Sequence, residues 1–407
     1  MTIGVGGSTA EAELARMINL AQGVETIQPE EHEARIERAR ALMKEKGINA
    51  LYLDTSPSLL YFTGMRLKPT ERLHGAIIPV DGPLIYLSPV FEIPKTETLV
   101  VVKGDIRGWE EHEDPTALVI DSVESLGIDS GVLAIDPATP FFTADGLRKA
   151  GNRFELTNGS AVTAECRMYK SPQEIALLQR ANEITLEIHK AAARILHEGI
   201  TTSQVQDFIL QAFDRCGGTS PGGRPAVQFG EATAYPHGVP YGQTLKDGDM
   251  VLMDFGCFVG DYRADITRTY VYGDASKRQR EIWELEKAAQ AAGFAAAVHG
   301  APCEAVDLAA RGTIEAAGFA KEYGLPGLPH RTGHGIGLEV HEDTYMVRNN
   351  KRPMETGLCF SVEPMICIYG EFGVRLEDCA YMAEDGAHWF TQPAASVDDP
   401  FGHETAS

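Results

Sequence analysis

Hydrophobic and polar positions change rhythm along the chain, and the changes mark out its parts. Between residues 29 and 47 the apolar side chains Ile36, Ala39, Leu42 and Met43 recur at helical spacing, with Pro29 in front and Gly47 behind, which predicts a helix. A β-prone run follows at Ala50-Leu51-Tyr52-Leu53, and then the turn-rich SPSLLYFTGM. Short strands are expected at 75–79, 84–87, 98–102 and 132–135, and helices at 114–126 and 140–150. This alternation predicts an α/β domain over residues 29–165. Ahead of it, residues 1–28 form an extension in which Ser8 or Thr9 caps a helix over 9–23, available to pack on a partner.

From residue 166 the rhythm is that of long helices. Ser171-Pro172-Gln173-Glu174 supplies the N-cap, the N1 proline and the N3 glutamate of a capping box, opening an amphipathic helix that reaches 197. Thr201 and Thr202 start another, to 216, and a glycine- and proline-rich loop at 217–225 leads to a strand at 226–229. A β-hairpin is expected over 250–272, then helices at 276–299 and 304–317, then strands at 358–368 and 374–382. Two helix–helix–hairpin blocks in succession imply a duplicated architecture, although the two sequences differ too much to be called a repeat. The expected fold class is α+β, with a larger domain over 166–395 and a C-terminal tail over 396–407.

Both hairpins carry acids where core residues belong. Met250-Val251-Leu252-Met253 runs into Asp254, and Asp265 heads the β-prone run from Ile266 to Tyr272. Folded about Val259-Gly260, the hairpin sets Asp254 against Asp265; a turn one residue later shifts the pairing by two, so the pattern establishes proximity, not register. In the second hairpin Leu358–Val362 ends on Glu363 and Val374-Arg375-Leu376 ends on Glu377, and a fold about Gly370 makes the two glutamates face. Facing carboxylates in apolar strands repel, and burying either ion unpaired costs several kcal/mol, so something positive belongs between them.

Composition narrows the choice. Of 407 residues, 43% are hydrophobic and 23% charged, an ordinary soluble composition. The formal net charge of −22 argues against nucleic acid or an anionic membrane as partner. Seven cysteines, scattered and without a C-x-x-C, suit a reducing cytoplasmic setting better than a disulfide framework or a thiolate zinc site. No apolar run approaches the length of a membrane span, and the N-terminus lacks the basic start and apolar core of a secretory signal.

Between the hairpins lies His330-Arg-Thr-Gly-His334-Gly-Ile-Gly-Leu-Glu-Val-His341, where Gly333, Gly335 and Gly337 around His334 let backbone approach a ligand closely. Four carboxylates and an imidazole suit a hard-to-borderline cation: Mn²⁺, Co²⁺, Fe²⁺ or Zn²⁺. Four negative charges are balanced by two divalent ions, which favours a two-metal site with a shared hydroxide.

The segments MDFGCFVGDYRADITRT, TGHGIGLEVHE, SVEPM and GVRLEDC, with RMYKSPQEIALLQRAN before them and SLLYFTGM earlier, resemble the metallopeptidase family of methionine aminopeptidase, aminopeptidase P and prolidase. The resemblance implies a pita-bread catalytic domain and a smaller α/β N-terminal domain. It also implies two divalent ions, Mn²⁺ foremost, held by Asp254, Asp265, His334, Glu363 and Glu377. Asp254 would be bidentate to one ion, Asp265 and Glu377 would bridge, and His334 and Glu363 would complete the other shell. Glu363 matches the family's proton shuttle and His341 a histidine that stabilises the tetrahedral intermediate, while His237, His330 and Arg375 match substrate-side positions. The implied activity is cleavage of Xaa-Pro bonds in a short peptide, a dipeptide being favoured, by a homodimer. The alternatives are an aminopeptidase P acting on longer Xaa-Pro-Yaa peptides, or a same-fold enzyme with a non-peptide substrate, of the ectoine hydrolase or dimethylsulfoniopropionate lyase kind. A metal-free relative such as creatinase is disfavoured because all five ligand positions are filled. Two departures stand out: Cys367 replaces a family tyrosine, and Gly260-Asp261-Tyr262 replaces the usual Gly-Tyr before the second aspartate.

Gly218-Thr-Ser220-Pro-Gly222 spells a G-x-S-x-G nucleophile pattern, but Pro221, Gly222 and Gly223 open no helix, so it reads as a loop near the substrate's way in. TGHGIG lacks the strand–helix frame of a phosphate cradle.

Overall fold

The computed structural model describes residues 2–403; residues 404–407 of the expected tail lie outside the described residues. The chain divides into two compact units, Ile27–Arg167 and the remainder. The first holds a six-stranded mixed sheet in the order Asp105–Trp109, Ile85–Pro89, Gly75–Pro79, Ala50–Asp54, Gly131–Ile135, Phe154–Asn158. Its core, with Tyr52, Ile77, Leu87, Val119 and Leu133, lies between the sheet and the helices Pro115–Glu124 and Phe141–Ala150.

The strand expected at 98–102 is absent. Residues Ile93–Leu99 are helical, and the edge strand is Asp105–Trp109. Pro94 sits in the helix's first turn, and Thr96, fully buried, turns its hydroxyl to Glu92 O and Ser88 Oγ at 3.0 Å each. Local β-propensity yields to that packing. SPSLLYFTGM forms the short helix Pro57–Thr63, capped by Ser56 and closed by Gly64 in the left-handed region.

In the second unit the N-terminal helix is shorter than 9–23: it runs Ala10–Arg16 from a Thr9 cap. It packs on its own chain, where buried Glu13 pairs with Arg194 at 2.7 Å. Residues 396–403 fold back as well, with Val397 fully buried and Asp398 paired to Arg280 at 2.6 Å.

The two helix pairs, Pro172–Arg194 with Thr202–Cys216 and Lys277–Ala295 with Glu304–Ala316, each precede a hairpin. The capping box expected at Ser171 and the helix start expected at Thr201 are both made, and Ser276 closes a capping box with Gln279 as well. The first hairpin joins Met250–Phe255 to Ile266–Val271 in a three-stranded sheet with Ala226–Phe229. The second contributes Cys359–Val362 and Asp378–Ala383 to a five-stranded sheet, and Met365–Ile368 pairs separately with Phe372–Arg375. The long strands expected at 358–368 and 374–382 are thus each broken, at Glu363-Pro364 and at Leu376-Glu377. Pro364 has no N–H to continue a ladder. The backbone freed by these breaks pairs elsewhere: Glu363 N donates to Thr332 O at 2.7 Å, and Thr267 and Glu377 exchange hydrogen bonds of 3.3 and 3.1 Å. That last bridge joins the two sheets, giving the duplicated layout of a pita-bread fold.

Candidate active site

The two hairpins place their acids differently. In the first the turn is Gly260-Asp261, both with positive φ (54° and 74°), so Val259 faces Tyr262 and Asp254 faces Thr267. The expected Asp254–Asp265 pairing is therefore displaced by two residues, because a two-residue turn of this hand needs left-handed backbone at both corners. The parity is preserved, so the two aspartates share a face as diagonal neighbours. In the second hairpin the expected register holds on both sides of the break, with Val362 opposite Asp378 and Met365 opposite Arg375, which leaves Glu363 and Glu377 facing.

His334 is the hub. Its Nε2 lies 3.4 Å from Glu363, 3.6 Å from Glu377 and 3.8 Å from Asp265. Its Nδ1 is 3.0 Å from Gly335 O, an acceptor, so Nδ1 carries a proton and Nε2 is the nitrogen aimed at the acids. Burial works against protonation of the ring, but the charge of Glu363 and the contact with Glu377 raise the imidazole, and a cation among the acids would take the Nε2 lone pair instead. That Nε2 and Glu377 Oε1 are buried with no hydrogen-bond partner among the described residues, and Asp265, His334 and Glu377 can offer ligand atoms within 4.8 Å of one another. Orphaned buried acceptors converging on one point are what a cation would satisfy. Gly333 and Gly335 are needed here for space: a Cβ at either would lie 2.0 Å from Ser361 O or 2.6 Å from Asp343 O.

Electrostatics agree. Burial and then the neighbouring carboxylates hold Asp265 well above the usual carboxylate range and push Glu363 up to about 8. Burial also raises Asp254, against the pull of Arg375. Burial works the same way on Glu377, but its contact with His334 and the charge of Arg375 outweigh it and bring it down to about 2. Without a cation among them, most of these carboxyls cannot ionise together. The set, four oxygen donors and one imidazole, fits hard-to-borderline divalent ions.

Asp254 stands apart from the tight cluster. One of its oxygens accepts from Arg375 Nη2, and its side chain is partly exposed to the adjoining cavity. Arg375 is otherwise held by Thr267 Oγ1 at 3.1 Å and Pro236 O at 3.1 Å. Two cavities open on the cluster, of about 290 and 500 Å³. His237 and His341 line both, and His330 and Arg331 line the larger. The His341 ring stands edge-on to His334 at 4.3 Å. Burial pushes the His330 imidazole down to about 4, so it is neutral, with Nδ1 at 2.6 Å from Arg331 O. The loop at 217–225 borders the smaller cavity, and Ser220 Oγ accepts from Gly222 N at 3.3 Å, as a loop residue would.

Several supports escaped the sequence reading. Thr267 donates to Glu377 Oε2 at 2.6 Å and accepts from Arg375 Nε, both fully inside the protein. Its place two residues after Asp265, on the strand Ile266–Val271 that Asp265 leads into, was the available signal. Gln290, from the helix Lys277–Ala295, reaches Leu376 O at 3.2 Å and Asp378 Oδ2 at 3.0 Å, bracing the break in the second hairpin. Arg268 and Asp378, both without exposed surface, pair at 2.6 Å beneath the site. Cys367 points into the core with Trp283 and Ile366, where burial pushes its thiol up to about 12, so it takes no tyrosine-like part.

The profile of metallopeptidase family M24 matches residues 176–384, and that of the creatinase/prolidase N-terminal domain matches 35–169. The Xaa-Pro dipeptidase of Lactobacillus helveticus is 31% identical over 366 residues, covering 88% of this chain and 96% of that protein. Among solved structures, a dipeptidase of Pyrococcus horikoshii superposes with a TM-score of 0.79 at 30% identity, over 88% of this chain and 98% of that one. The dipeptidase PepE of Mycobacterium ulcerans gives 0.83 at 29% identity, over 90% and 97%.

Proposed function

This chain belongs to metallopeptidase family M24, and from that premise we propose that it hydrolyses the Xaa-Pro bond of dipeptides with two divalent ions, Mn²⁺ foremost. The observation that carries the reading is the convergence of Asp265, Glu363 and Glu377 on the unpartnered Nε2 of His334. Those four residues and Asp254 would hold the ions. When bound, the ions supply a water acidic enough to ionise near neutral pH and polarise the scissile carbonyl.

The chain's own residues do the rest. Glu363 lines both cavities, so its carboxylate can take the proton of the attacking water on one side and return it to the leaving nitrogen on the other. A prolyl nitrogen carries no hydrogen in the peptide and must gain one to leave. His341, edge-on to His334, donates to the oxygen that gains charge as the carbonyl is attacked. Arg375 orients Asp254 and links it through Thr267 to Glu377. His237 and His330 face the substrate from the larger cavity.

A cytoplasmic homodimer is the proposed state. The seven cysteines are all buried and unpaired, in keeping with a reducing compartment, and among the described residues no helix is long and apolar enough to cross a membrane. The test is turnover of Xaa-Pro dipeptides, Xaa-Pro-Yaa tripeptides, ectoine-type amides and dimethylsulfoniopropionate by Mn²⁺-reconstituted protein, with metal content by elemental analysis. Preferred cleavage of Xaa-Pro at two ions per chain is the expected result. Turnover of the osmolytes alone, or activity in metal-free protein, would overturn the proposal.

A further inference from the structure

Arg263 stands beside the cluster without a partner. Along the short strand Tyr262–Arg263 the side chains alternate in direction. Tyr262 turns into the core, where its hydroxyl donates to Glu174 Oε1 at 2.8 Å. Arg263 therefore faces the other side, and there it borders the smaller cavity together with Asp254 and Asp265. Its backbone is fixed, with N donating to Gly337 O at 2.8 Å. Its guanidinium lies over the ring of Phe258, the residue opposite on the neighbouring strand, 5.7 Å from the centroid. Among the described residues that guanidinium makes no hydrogen bond or ion pair, and its Nε is buried with no acceptor.

Bound metal does not remove this charge. Two divalent ions balance the four acids that border the cavity, so what is left over there is cationic. Of its three arginines, Arg224 is matched by Asp207 at 3.0 Å and by Gln206 Oε1 at 3.1 Å. Arg375 is engaged by Asp254, Thr267 and Pro236 O. Arg263 is the one with donors to spare. Leu210, Phe213 and Val340 give the same cavity an apolar wall. A short methylene stem ending in a carboxylate meets both features: the stem covers apolar surface and the carboxylate takes the guanidinium's fork. The larger cavity has Pro236 and Pro329 in its wall, a surface for the proline ring, and this leaves the smaller one to the residue ahead of the scissile bond.

We infer that Arg263 receives the side-chain carboxylate of an acidic residue ahead of the proline, which makes Glu-Pro a preferred substrate; the inference rests on the Xaa-Pro reading above. The experiment compares Glu-Pro with Met-Pro, whose side chain is of like length and uncharged, on Mn²⁺-loaded wild type, Arg263→Gln and Arg263→Lys. Both dipeptides carry the same ammonium and the same terminal carboxylate, so the pair isolates the side-chain charge. Metal content and a melting curve accompany each protein. Wild type is expected to favour Glu-Pro by about tenfold in kcat/KM, the low end for a hydrogen bond to a charged group. That preference should shrink as salt is raised. Arg263→Gln should bring the ratio to within about twofold, mainly through KM for Glu-Pro, and Arg263→Lys should keep part of it. A wild type that cleaves Met-Pro as well as Glu-Pro overturns the inference alone, as does a preference that persists in folded, metal-loaded Arg263→Gln. Failure of wild type to cleave either dipeptide overturns the Xaa-Pro reading and the inference with it.

Discussion

Thr267→Val removes one hydroxyl and leaves the volume of the side chain almost unchanged. The lost oxygen donates to Glu377 at 2.6 Å and accepts from Arg375 at 3.1 Å, in a position with no exposed surface. Each of these bonds involves a charged partner, worth about 1.5–3 kcal/mol net, and each partner is left buried with an unmet lone pair or N–H. The two losses share one atom and do not add fully, so the metal-free protein should lose about 3 kcal/mol of stability. The site should suffer separately. Without the hydroxyl, Glu377 can turn its carboxylate and Arg375 loses its brace, and loss of such an outer partner costs about 10–100-fold in metal affinity. Urea titration of the metal-free protein reads the first effect; competition with a chromophoric chelator for Mn²⁺ reads the second. Thr267→Ser, which keeps the hydroxyl, should recover most of both. Thr267→Val protein binding Mn²⁺ within threefold of wild type would refute the idea that this hydroxyl couples the two hairpins at the metal site.

Glu363→Gln should lower kcat by about 10²–10⁴-fold, the usual reach of a proton-transfer group, while the metal-free variant melts as wild type does, because the Glu363 carboxyl at about 8 is already uncharged at neutral pH. Removing the ions with a chelator should make stability fall as pH rises: a carboxyl at about 8 when folded, against an ordinary value when unfolded, holds its proton only in the folded state. The metal-free protein should therefore lose about 2 kcal/mol between pH 6.5 and 8, a loss the metal-loaded protein does not show in parallel denaturant titrations. His189 titrates with the opposite sign. It is fully buried, stacked on Phe255 at 3.8 Å, and burial pushes it down to about 3. Between that value and 6.5 the unfolded chain takes up a proton the folded one refuses, so its contribution fades as pH falls. The stability gap between metal-free wild type and His189→Gln should narrow by about 2 kcal/mol from pH 6.5 to 4.5, and a constant gap would refute this.

What the sequence by itself determined is what depends on near neighbours. The helix start at Ser171 was legible because a capping box is closed by residues three apart, and the boxes found at Thr201 and Ser276 obey the same local rule. The second hairpin was legible to the register, because Gly370 at its tip and a period of two along each arm leave one solution. All five clustered or adjoining donors were legible too, since acids inside apolar strands need a reason that length and turn chemistry alone do not provide. The first hairpin was displaced by two because either of two neighbouring turns closes it, and only the packed strands select the one in which Asp261 takes a left-handed backbone. Residues 98–102 read as a strand because Thr98, Val100, Val101 and Val102 say so locally, whereas residues 98 and 99 close the helix Ile93–Leu99, which buried hydrogen bonds of Thr96 hold in place. Tertiary structure alone decided which partner each acid keeps: Thr267 for Glu377, Arg375 for Asp254, the lone pair of His334 for the cluster. Those choices join residues tens to more than a hundred positions apart, and they follow from where folded strands cross, which no local spacing encodes.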